Sequence, residues 1–361
     1  MEPVTIEDAR LSRWRMHSQL AVPGGRPAGT GGAARIAGRA AGIQAQDAAA
    51  ARLGLRARGV DSVARVDAAA AAGKVLSSWL MRGTLHLVPA ADLPWLLGIF
   101  GARNVAGGAG RRRQLGLTDE VCARATAVIP EVLRSPLSRA GLIAALIAHG
   151  VEVDPKGQAP AHLVAYAAAL GLVCRGADVA PREPGYVLLD GPPPEPAGDP
   201  EHAALAARYL AAFGPAGPAD LAAWSGLPQA LCRRAVAGAG LPEVAPGLFA
   251  DPGSEPPPGP VLVRLLGAYD NYLLGYRDRA LMLDSAFAKR INAGGGVIHP
   301  ALVVDGRVLG RWSIERAKGA GVVAVEPFGP LSRPVREGLR AEAGAVGRFL
   351  GEDLALRITR P

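Results

Sequence analysis

Several residue types that commonly build catalytic and structural sites are scarce in this chain of 361 residues. The three cysteines, Cys122, Cys174 and Cys232, form no CxxC pair and cannot make a complete disulfide framework, so we expect reduced thiols in the core. The six histidines lie far apart in the sequence, and none has a second histidine or a cysteine at metal-ligand spacing. No GxSxG elbow occurs either. We therefore predict no metal, no cofactor and no serine nucleophile of that type.

Targeting and nucleotide-binding signals are also missing. No apolar run approaches the roughly 18 residues of a membrane span, and the opening MEPVTIEDAR lacks the basic and apolar regions of a signal peptide. The glycine-rich stretch GGRPAGTGGAARIAG precedes a helical pattern, but no lysine follows at the Walker position and no clear strand comes before it. We expect a flexible loop there, no membrane partner and a cytoplasmic protein.

The charge of the chain is unbalanced toward the positive side. Lysine and arginine number 40 against 32 acidic residues, which gives a net charge of +8 and a pI near 9.8. Only four of the basic residues are lysines, and a GC-rich genome alone would produce that preference for arginine. Codon bias does not remove acidic residues, however, and a basic surface attracts a polyphosphate. Nucleic acid is therefore a plausible partner. We also expect a monomer, because a single chain of this length can supply several DNA-contacting modules.

A helix, turn, helix, strand order occurs twice. The segment PLSRAGLIAALIAHG, from Pro136, reads as a capped helix, followed by the turn VEVDPKG, the helix QAPAHLVAYAAALGLVCRG and a strand in PREPGYVLLDG. The same order returns with a short helix from Pro218, a turn at Gly226, a second helix and a strand near GLFAD. This order is typical of winged-helix motifs, and a third copy is predicted near the N-terminus.

Proline-rich joints and a late hairpin divide the chain. The joints DGPPPEPAGDP and DPGSEPPPGP interrupt regular structure. After them, VIHPALVVDGRVLGRWSIER alternates around Asp305 and Gly306, a favoured hairpin turn, and a last helix is expected to pack on this β region. We predict an α+β protein, mainly α, with winged-helix modules at 1–125, 126–195 and 196–255 and a β-rich domain at 256–361.

The pair Gln44 and Gln46 in IQAQD is the first candidate site. Two residues apart on a helix they would point in nearly opposite directions, whereas in an extended or turning segment both amides could face one cavity. The plainer interpretation is that one glutamine caps a helix end and the other is solvated. Periodicity alone favours that plainer interpretation.

Other polar segments are candidates for contact with DNA. Alternation in LMRGTLHLV places three polar residues on one face of a predicted strand, GAGRRRQLG supplies three arginines in one loop, and YDNYLLGYRDR interleaves arginine with tyrosine. Solvated surface or pairing with neighbouring aspartates would give the same patterns. The candidate contacts are Arg82, Thr84, His86, Arg111, Arg112, Arg113, Asn271, Tyr276, Arg277, Arg279, Arg307 and Arg311.

Taken in order, IQAQD, LMRGTLHLV, YDNYLLGYRDR and VVDGRVLGRW resemble the winged-helix DNA glycosylases of the AlkZ and YcaQ type. The resemblance covers about residues 10 to 350 and implies tandem winged-helix motifs around a concave channel, with a hairpin that approaches DNA. The family's catalytic motif falls on Gln44, Ala45 and Gln46, although Ala45 is smaller than the usual aliphatic residue. Gln46 at the second position is similar to the AlkZ branch, which implies self-resistance to an alkylating antibiotic.

The resemblance implies hydrolysis of the glycosidic bond of bulky cationic purines, N7-alkylguanine or N3-alkyladenine, in double-stranded DNA, and interstrand crosslinks are a further candidate substrate. A cationic base departs as a neutral molecule without protonation, so two neutral amides need only position water. Two other functions stay open at this point: a DNA-binding regulator without catalytic activity, and a protein that sequesters the alkylating agent.

Overall fold

The computed structural model describes residues 6–20, 32–191, 194–317 and 320–360. Most of the glycine-rich loop predicted between the first helices, and part of the first proline-rich joint, lie outside these ranges. None of the helices described is long and apolar enough to cross a membrane.

Helices make up much of the described chain. They are α1 (Ile6–Leu20), α2 (Gly32–Arg39), α3 (Ala48–Ala57), α4 (Val63–Ala71), α5 (Leu93–Gln114), α6 (Asp119–Val132), α7 (Arg139–Ala148), α8 (Ala159–Ala169), α9 (Asp199–Phe213), α10 (Pro218–Ser225), α11 (Gln229–Gly238), α12 (Asn271–Leu274), α13 (Ala288–Ile291) and α14 (Arg333–Leu350).

Short strands alternate with them. They are β1 (Ile43–Gln44), β2 (Val75–Trp79), β3 (Leu85–Pro89), β4 (Val173–Ala180), β5 (Glu183–Leu188), β6 (Glu243–Ala245), β7 (Leu248–Phe249), β8 (Val263–Leu266), β9 (Asn292–Gly294), β10 (Val297–Ile298), β11 (Ala301–Val304), β12 (Arg307–Ala317), β13 (Ala320–Pro327) and β14 (Leu354–Ile358). The predicted α+β class is confirmed.

Both predicted repeats of helix, turn, helix and strand are present as elements. In the first, α7 and α8 are followed by the antiparallel pair β4 and β5, and Ser138 caps α7 by accepting a hydrogen bond from the Gly141 amide at 3.2 Å. In the second, α10 and α11 are followed by β6 and β7. The sequence located these elements because helix caps and apolar periodicity are local signals.

Contacts divide the chain differently from the four predicted domains. One compact unit, here the central unit, is Asp67–His202, and the other, here the composite unit, joins Met1–Val66 to Ala203–Pro361. The N-terminal segment therefore belongs with the C-terminal part of the chain, from Ala203 onward. Proline-rich joints mark where helices and strands stop, but they carry no information about which distant segments pack together.

Four strands of the central unit pair in the order β3, β2, β4, β5, all antiparallel. Helices α6, α7 and α8 bury an apolar cluster that includes Ile129, Leu146 and Leu163. Helix α5 approaches the end of α8 so closely that a Cβ on Gly101 would lie 2.4 Å from the carbonyl oxygen of Ala169. Glycine is required there because any side chain would collide with backbone.

The composite unit contains a five-stranded sheet in the order β14, β13, β12, β11, β8, with only the β13–β14 pair parallel. Helix α14 packs on it through Val335, Leu339 and Val346, as predicted for the last helix. The predicted turn between β11 and β12 is also confirmed, because Asp305 and Gly306 adopt φ of 45° and 88°.

Candidate active site around Gln44 and Gln46

The two glutamines lie in an extended segment between α2 and α3. The chain leaves α2 through Ala41 and Gly42, both with positive φ (52° and 97°), and then extends through β1. Helix α3 begins after Asp47, whose carboxylate accepts a hydrogen bond from the Ala50 amide at 2.9 Å. The plainer interpretation of the sequence, in which a glutamine caps the helix, is therefore wrong: the cap is Asp47.

The two amides differ sharply in exposure. Gln44 is 8% exposed, Ala45 is 7% exposed, and Gln46 is exposed to solvent. The small Ala45 thus occupies a buried apolar position, as a larger aliphatic residue would. One amide is set in the protein interior and the other is accessible to solvent and to a ligand.

Asn271 holds the backbone of this segment from the far end of the sequence. Its side-chain oxygen accepts a hydrogen bond from the Gln44 amide nitrogen at 3.0 Å, and its Nδ2 donates to the Gly42 carbonyl at 2.6 Å. Asn271 is 3% exposed. Its amide group therefore links the two peptide groups on either side of Ile43.

A buried ion pair supports Asn271. Asp270 receives two hydrogen bonds from Arg58, each of 2.9 Å, and the side chains of the pair are 1% and 4% exposed. Arg58 also donates to the Gly54 carbonyl and to the side-chain oxygen of Gln19, both at 2.9 Å. A paired charge with further hydrogen bonds is the arrangement that lowers the free-energy cost of burying ions.

The same network continues to Tyr276. Gln19 donates from Nε2 to the Tyr276 hydroxyl oxygen at 3.2 Å, and that hydroxyl donates to the Phe213 carbonyl at 2.9 Å. The Arg15 guanidinium lies 4.1 Å from the ring centroid, a cation–π contact. Burial raises the pKa of Tyr276 well above its usual value. The hydroxyl is thus a neutral structural group.

These contacts correct two predicted DNA contacts. Asn271 and Tyr276 are 3% and 2% exposed, and their polar atoms bond to protein groups. Neither presents a surface to phosphate or base. The segment passes from the interior to the surface along the chain, because Tyr272 and Tyr276 are buried whereas Arg277 and Asp278 are exposed.

The candidate arginines of the composite unit differ in exposure and in their partners. Arg277 is exposed, while its backbone amide donates to Asp220 at 3.0 Å. Arg279 is half-buried, and burial lowers its pKa. Arg307 donates to the Leu281 carbonyl at 3.2 Å, and Arg311 pairs with Glu326 at 2.7 Å. Arg311 is thus paired with a carboxylate, which is the alternative to DNA contact given above for the other polar segments.

The polar stripe predicted over Arg82, Thr84 and His86 is not one strand face. Arg82 lies in a 3₁₀ turn with φ 54°, Thr84 closes that turn, and only His86 lies in β3. His86 is 2% exposed, and its Nδ1 contacts the Thr84 carbonyl at 2.9 Å. Burial lowers the pKa of His86 to about 3, with Arg82 acting in the same direction. His86 is therefore neutral and interior, and it presents no surface to DNA.

Arg111, Arg112 and Arg113 lie in the last turn of α5, not in a loop as predicted. Arg112 is 9% exposed and its guanidinium stands 4.5 Å from the ring centroid of Tyr166. Arg111 donates to Gln158 at 2.8 Å, and both Arg111 and Arg113 are exposed. Successive residues of a helix point about 100° apart, so the three side chains do not form one cluster, and only Arg111 and Arg113 remain candidates for phosphate contact.

Sequence reasoning missed a groove in the central unit. A cavity of about 640 Å³ is lined mainly by apolar residues, and Arg139, Arg175 and Arg182 lie among them together with Glu183. Arg175 donates to the Tyr186 hydroxyl at 3.0 Å. The signal was weak because these arginines are isolated in the sequence. Within the described ranges, no three histidine, cysteine or acidic side chains lie together as metal ligands would.

Comparison with known proteins gives one consistent result. A family model described as DNA glycosylase AlkZ-like matches residues 37–349. An interstrand DNA cross-link repair glycosylase of Streptomyces sahachiroi is 26% identical over an alignment of 377 residues, gaps included. The alignment covers 94% of this chain and 95% of that protein. The structure of the DNA glycosylase AlkZ of the same organism superposes with a TM-score of 0.80 at 25% identity, covering 97% of this chain and 99% of the other.

Proposed function

Because this chain belongs to the AlkZ-like DNA glycosylase family, we propose that it hydrolyses the glycosidic bond of cationic alkylated purines in double-stranded DNA. The proposed substrates are bulky N7-alkylguanine and N3-alkyladenine adducts, and interstrand crosslinks that contain them. The crosslink repair named for the Streptomyces sahachiroi relative supports the last of these. The proposed benefit is self-resistance to a DNA-alkylating natural product.

The chemistry of such a lesion suits two neutral amides. When the bond between the sugar C1′ and the base nitrogen breaks, its electron pair neutralises the positive charge of the base, so no acid is required. Water then forms the new bond to C1′ and loses a proton to solvent. Glycosidic cleavage passes through an oxocarbenium-like transition state, and a held water molecule gains from the effective concentration of a bound reactant. An unmodified purine lacks the charge and stays attached.

The contrast in burial between the two glutamines carries the proposal. Gln44 is 8% exposed and its backbone amide bonds to Asn271, whereas Gln46 is solvent-exposed. We assign Gln46 to holding the water molecule through its carbonyl oxygen. Gln44, buried two residues before it, orients the segment and the lesion.

DNA binding is proposed to use winged-helix motifs that line a concave channel, with the hairpin of β11 and β12 approaching the duplex. The motifs are α7 and α8 with β4 and β5, and α10 and α11 with β6 and β7. Exposed Arg82, Arg111, Arg113 and Arg277 are the proposed phosphate contacts, together with the groove arginines Arg139 and Arg182. Affinity should fall with salt in proportion to the number of phosphates contacted. We propose a cytoplasmic enzyme that acts as a monomer.

Incubation with a duplex that carries a single bulky N7-alkylguanine tests the proposal. We expect free modified base and an abasic site from that duplex, and no release of guanine from the unmodified duplex. Gln46→Ala should lower the single-turnover rate by about 100-fold, the scale of a lost positioning contact, while the Kd for the lesion duplex changes little. An equal loss of rate and affinity would reject the proposed role of Gln46.

A change of selectivity gives a second test. Gln46→Asp places a carboxylate where the amide stood, and a carboxylate can act as a general base. We expect the preference to shift from bulky toward smaller N7 adducts, measured as the ratio of single-turnover rates on N7-methylguanine and on the bulky lesion. An unchanged ratio would show that Gln46 does not influence lesion choice.

A further inference from the structure

We infer that Asn271 is a positioning residue for the Gln-Ala-Gln motif, an inference that rests on the proposed function. It does not touch substrate, because it is 3% exposed. Its side-chain amide donates to the Gly42 carbonyl at 2.6 Å and accepts from the Gln44 amide nitrogen at 3.0 Å. One planar group thus satisfies the two peptide groups that flank Ile43, as a neighbouring strand would.

A neutral side-chain amide meets both demands, and an ionised or apolar side chain does not. A carbonyl oxygen can only accept and an N–H can only donate, so Gly42 requires a donor and Gln44 requires an acceptor. Asparagine offers both on a short, planar side chain. An ionised aspartate would direct an oxygen at the Gly42 carbonyl, and leucine, with nearly the same shape, would leave both buried peptide groups without this partner.

The segment needs these hydrogen bonds because the backbone just before it adopts an unfavourable conformation. Ala41 is a non-glycine residue with φ 52°, in the left-handed region, and Gly42 follows with φ 97°. Left-handed backbone is unfavourable for alanine and persists only where surrounding contacts fix it. The hydrogen bond from Asn271 to the Gly42 carbonyl is one of those contacts, and it lies at the residue that follows the strained alanine.

Asn271 is itself fixed by its neighbour. The Asp270 carboxylate accepts from the Tyr272 amide at 2.9 Å, and the Asp270 carbonyl accepts from the Leu273 amide at 2.9 Å, which together begin α12. Arg58, directly after α3, the helix that follows the motif, holds the same carboxylate. Asn271 therefore fixes the backbone at Gly42 and Gln44, and Asp270, through Arg58, fixes the end of the helix that follows the motif.

This arrangement has a specific consequence for catalysis. A displacement of about 1 Å at a catalytic group can lower a rate by about 100-fold without weakening ground-state binding. Loss of the Asn271 amide should therefore reduce the single-turnover rate on an N7-alkylguanine duplex by about 10-fold to 100-fold, with less than about a threefold change in Kd. Asn271→Leu is the variant that tests this loss.

Asn271→Asp gives a readout that a merely structural role would not produce. When protonated, the new carboxylic acid donates to Gly42 and accepts from Gln44, as the amide does, and when ionised it repels the Gly42 carbonyl. Arg58 and Asp270, the charged groups beside this position, already pair with each other. The rate of this variant relative to wild type should rise at least about tenfold between about pH 8 and about pH 5, because burial beside a carbonyl raises a carboxyl pKa. Asn271→Leu should show no such recovery.

Amide hydrogen exchange tests the contact independently of activity. The Gln44 amide should be protected in the wild-type protein and exchange at least about tenfold faster in Asn271→Leu, while amides in β12 and β13 keep their protection. Unchanged Gln44 exchange would overturn the contact itself. Faster exchange with an unchanged rate would overturn the positioning role and leave the proposed function intact.

Failure of the proposed function looks different. If the wild-type protein releases no modified base, or if Gln46→Ala is fully active, the function or the motif is misassigned, and the positioning role falls with it even where Gln44 exchange responds. If Gln46→Ala is inactive and Asn271→Asp shows the pH-dependent recovery, both proposals are supported.

Discussion

Replacing Asp270 with asparagine should be among the most destabilising conservative changes in the composite unit. Arg58 and Asp270 share two hydrogen bonds of 2.9 Å with side chains 4% and 1% exposed. Asparagine has nearly the same size and can still accept the bond from the Tyr272 amide. The change therefore removes the negative charge and, because an Nδ2 donor replaces Oδ2, one of the two hydrogen bonds from Arg58. It leaves the Arg58 guanidinium buried without its counter-ion.

The expected magnitude follows from that uncompensated charge. Breaking a buried pair by removing one partner costs about 3–5 kcal/mol, a large share of the roughly 5–15 kcal/mol that stabilises a typical folded domain. The Gly54 carbonyl and the Gln19 side chain still accept from Arg58, so we expect the lower part of that range. Glu352→Gln is the matched control, because Glu352 pairs with Arg316 at 2.9 Å with side chains 36% and 56% exposed. It should cost less than about 1 kcal/mol.

Urea unfolding followed by intrinsic fluorescence measures both variants, and Arg58→Met combined with Asp270→Asn completes the cycle. The double variant should be more stable than Asp270→Asn alone, because methionine removes the unpaired charge and fills the space with apolar atoms. If Asp270→Asn costs no more than Glu352→Gln, or if the double variant is the less stable one, the buried ion pair does not stabilise the composite unit as predicted.

Two further predictions concern the pH response and helix α3. The pKa of His86 is lowered from 6.5 to about 3, so the unfolded chain takes up a proton first and stability falls as pH drops below about 6.5, by about 2 kcal/mol between about pH 7 and about pH 5. His86→Gln should flatten that dependence in urea unfolding and the exposed His149→Gln should not; equal slopes would contradict the assignment. A Cβ on Gly54 would lie 3.2 Å from Ile43 Cγ2, whereas one on Gly107 would meet nothing within 4 Å. Gly107→Ala should therefore raise the free energy of unfolding by up to about 1 kcal/mol. Gly54→Ala should raise it by less and should also lower the single-turnover rate. If Gly54→Ala is as stabilising as Gly107→Ala and fully active, the contact with Ile43 is refuted.

Local patterns were enough to locate most elements of the fold. Ser138 was identified as a helix cap, the Asp305 and Gly306 turn as a hairpin, and the last helix as a partner of the β region, because each depends on residues within a few positions of one another. The same reasoning placed Arg111 to Arg113 in a loop, since three arginines beside glycines look solvated. That reasoning did not predict that α5 continues through these residues. Nor did it predict the cation–π contact between Arg112 and Tyr166, which lies 54 residues later in the sequence.

The support of the site could not be predicted for a related reason. Nothing local distinguishes the buried Arg58 from the many exposed arginines of this chain, and Asn271 was assigned to DNA because its neighbours are arginine and tyrosine. Its true partners, Gly42 and Gln44, are 229 and 227 residues away. A contact at that separation leaves no periodic trace in a single sequence. The resemblance to a family found the motif, and only the structure shows what holds it.

The buried polar groups behind the motif follow from the kind of catalysis proposed. A buried ion pair is usually no more stabilising than apolar residues of the same volume, so Arg58 and Asp270 are not needed for stability as such. They are needed if the reaction depends on placement, because two neutral amides supply no proton transfer to compensate for poor geometry. Apolar packing tolerates small shifts, whereas hydrogen bonds fix direction as well as distance. An enzyme that leaves bond breaking to a cationic base and only steers water therefore gains most from residues such as Asn271 that never meet the substrate.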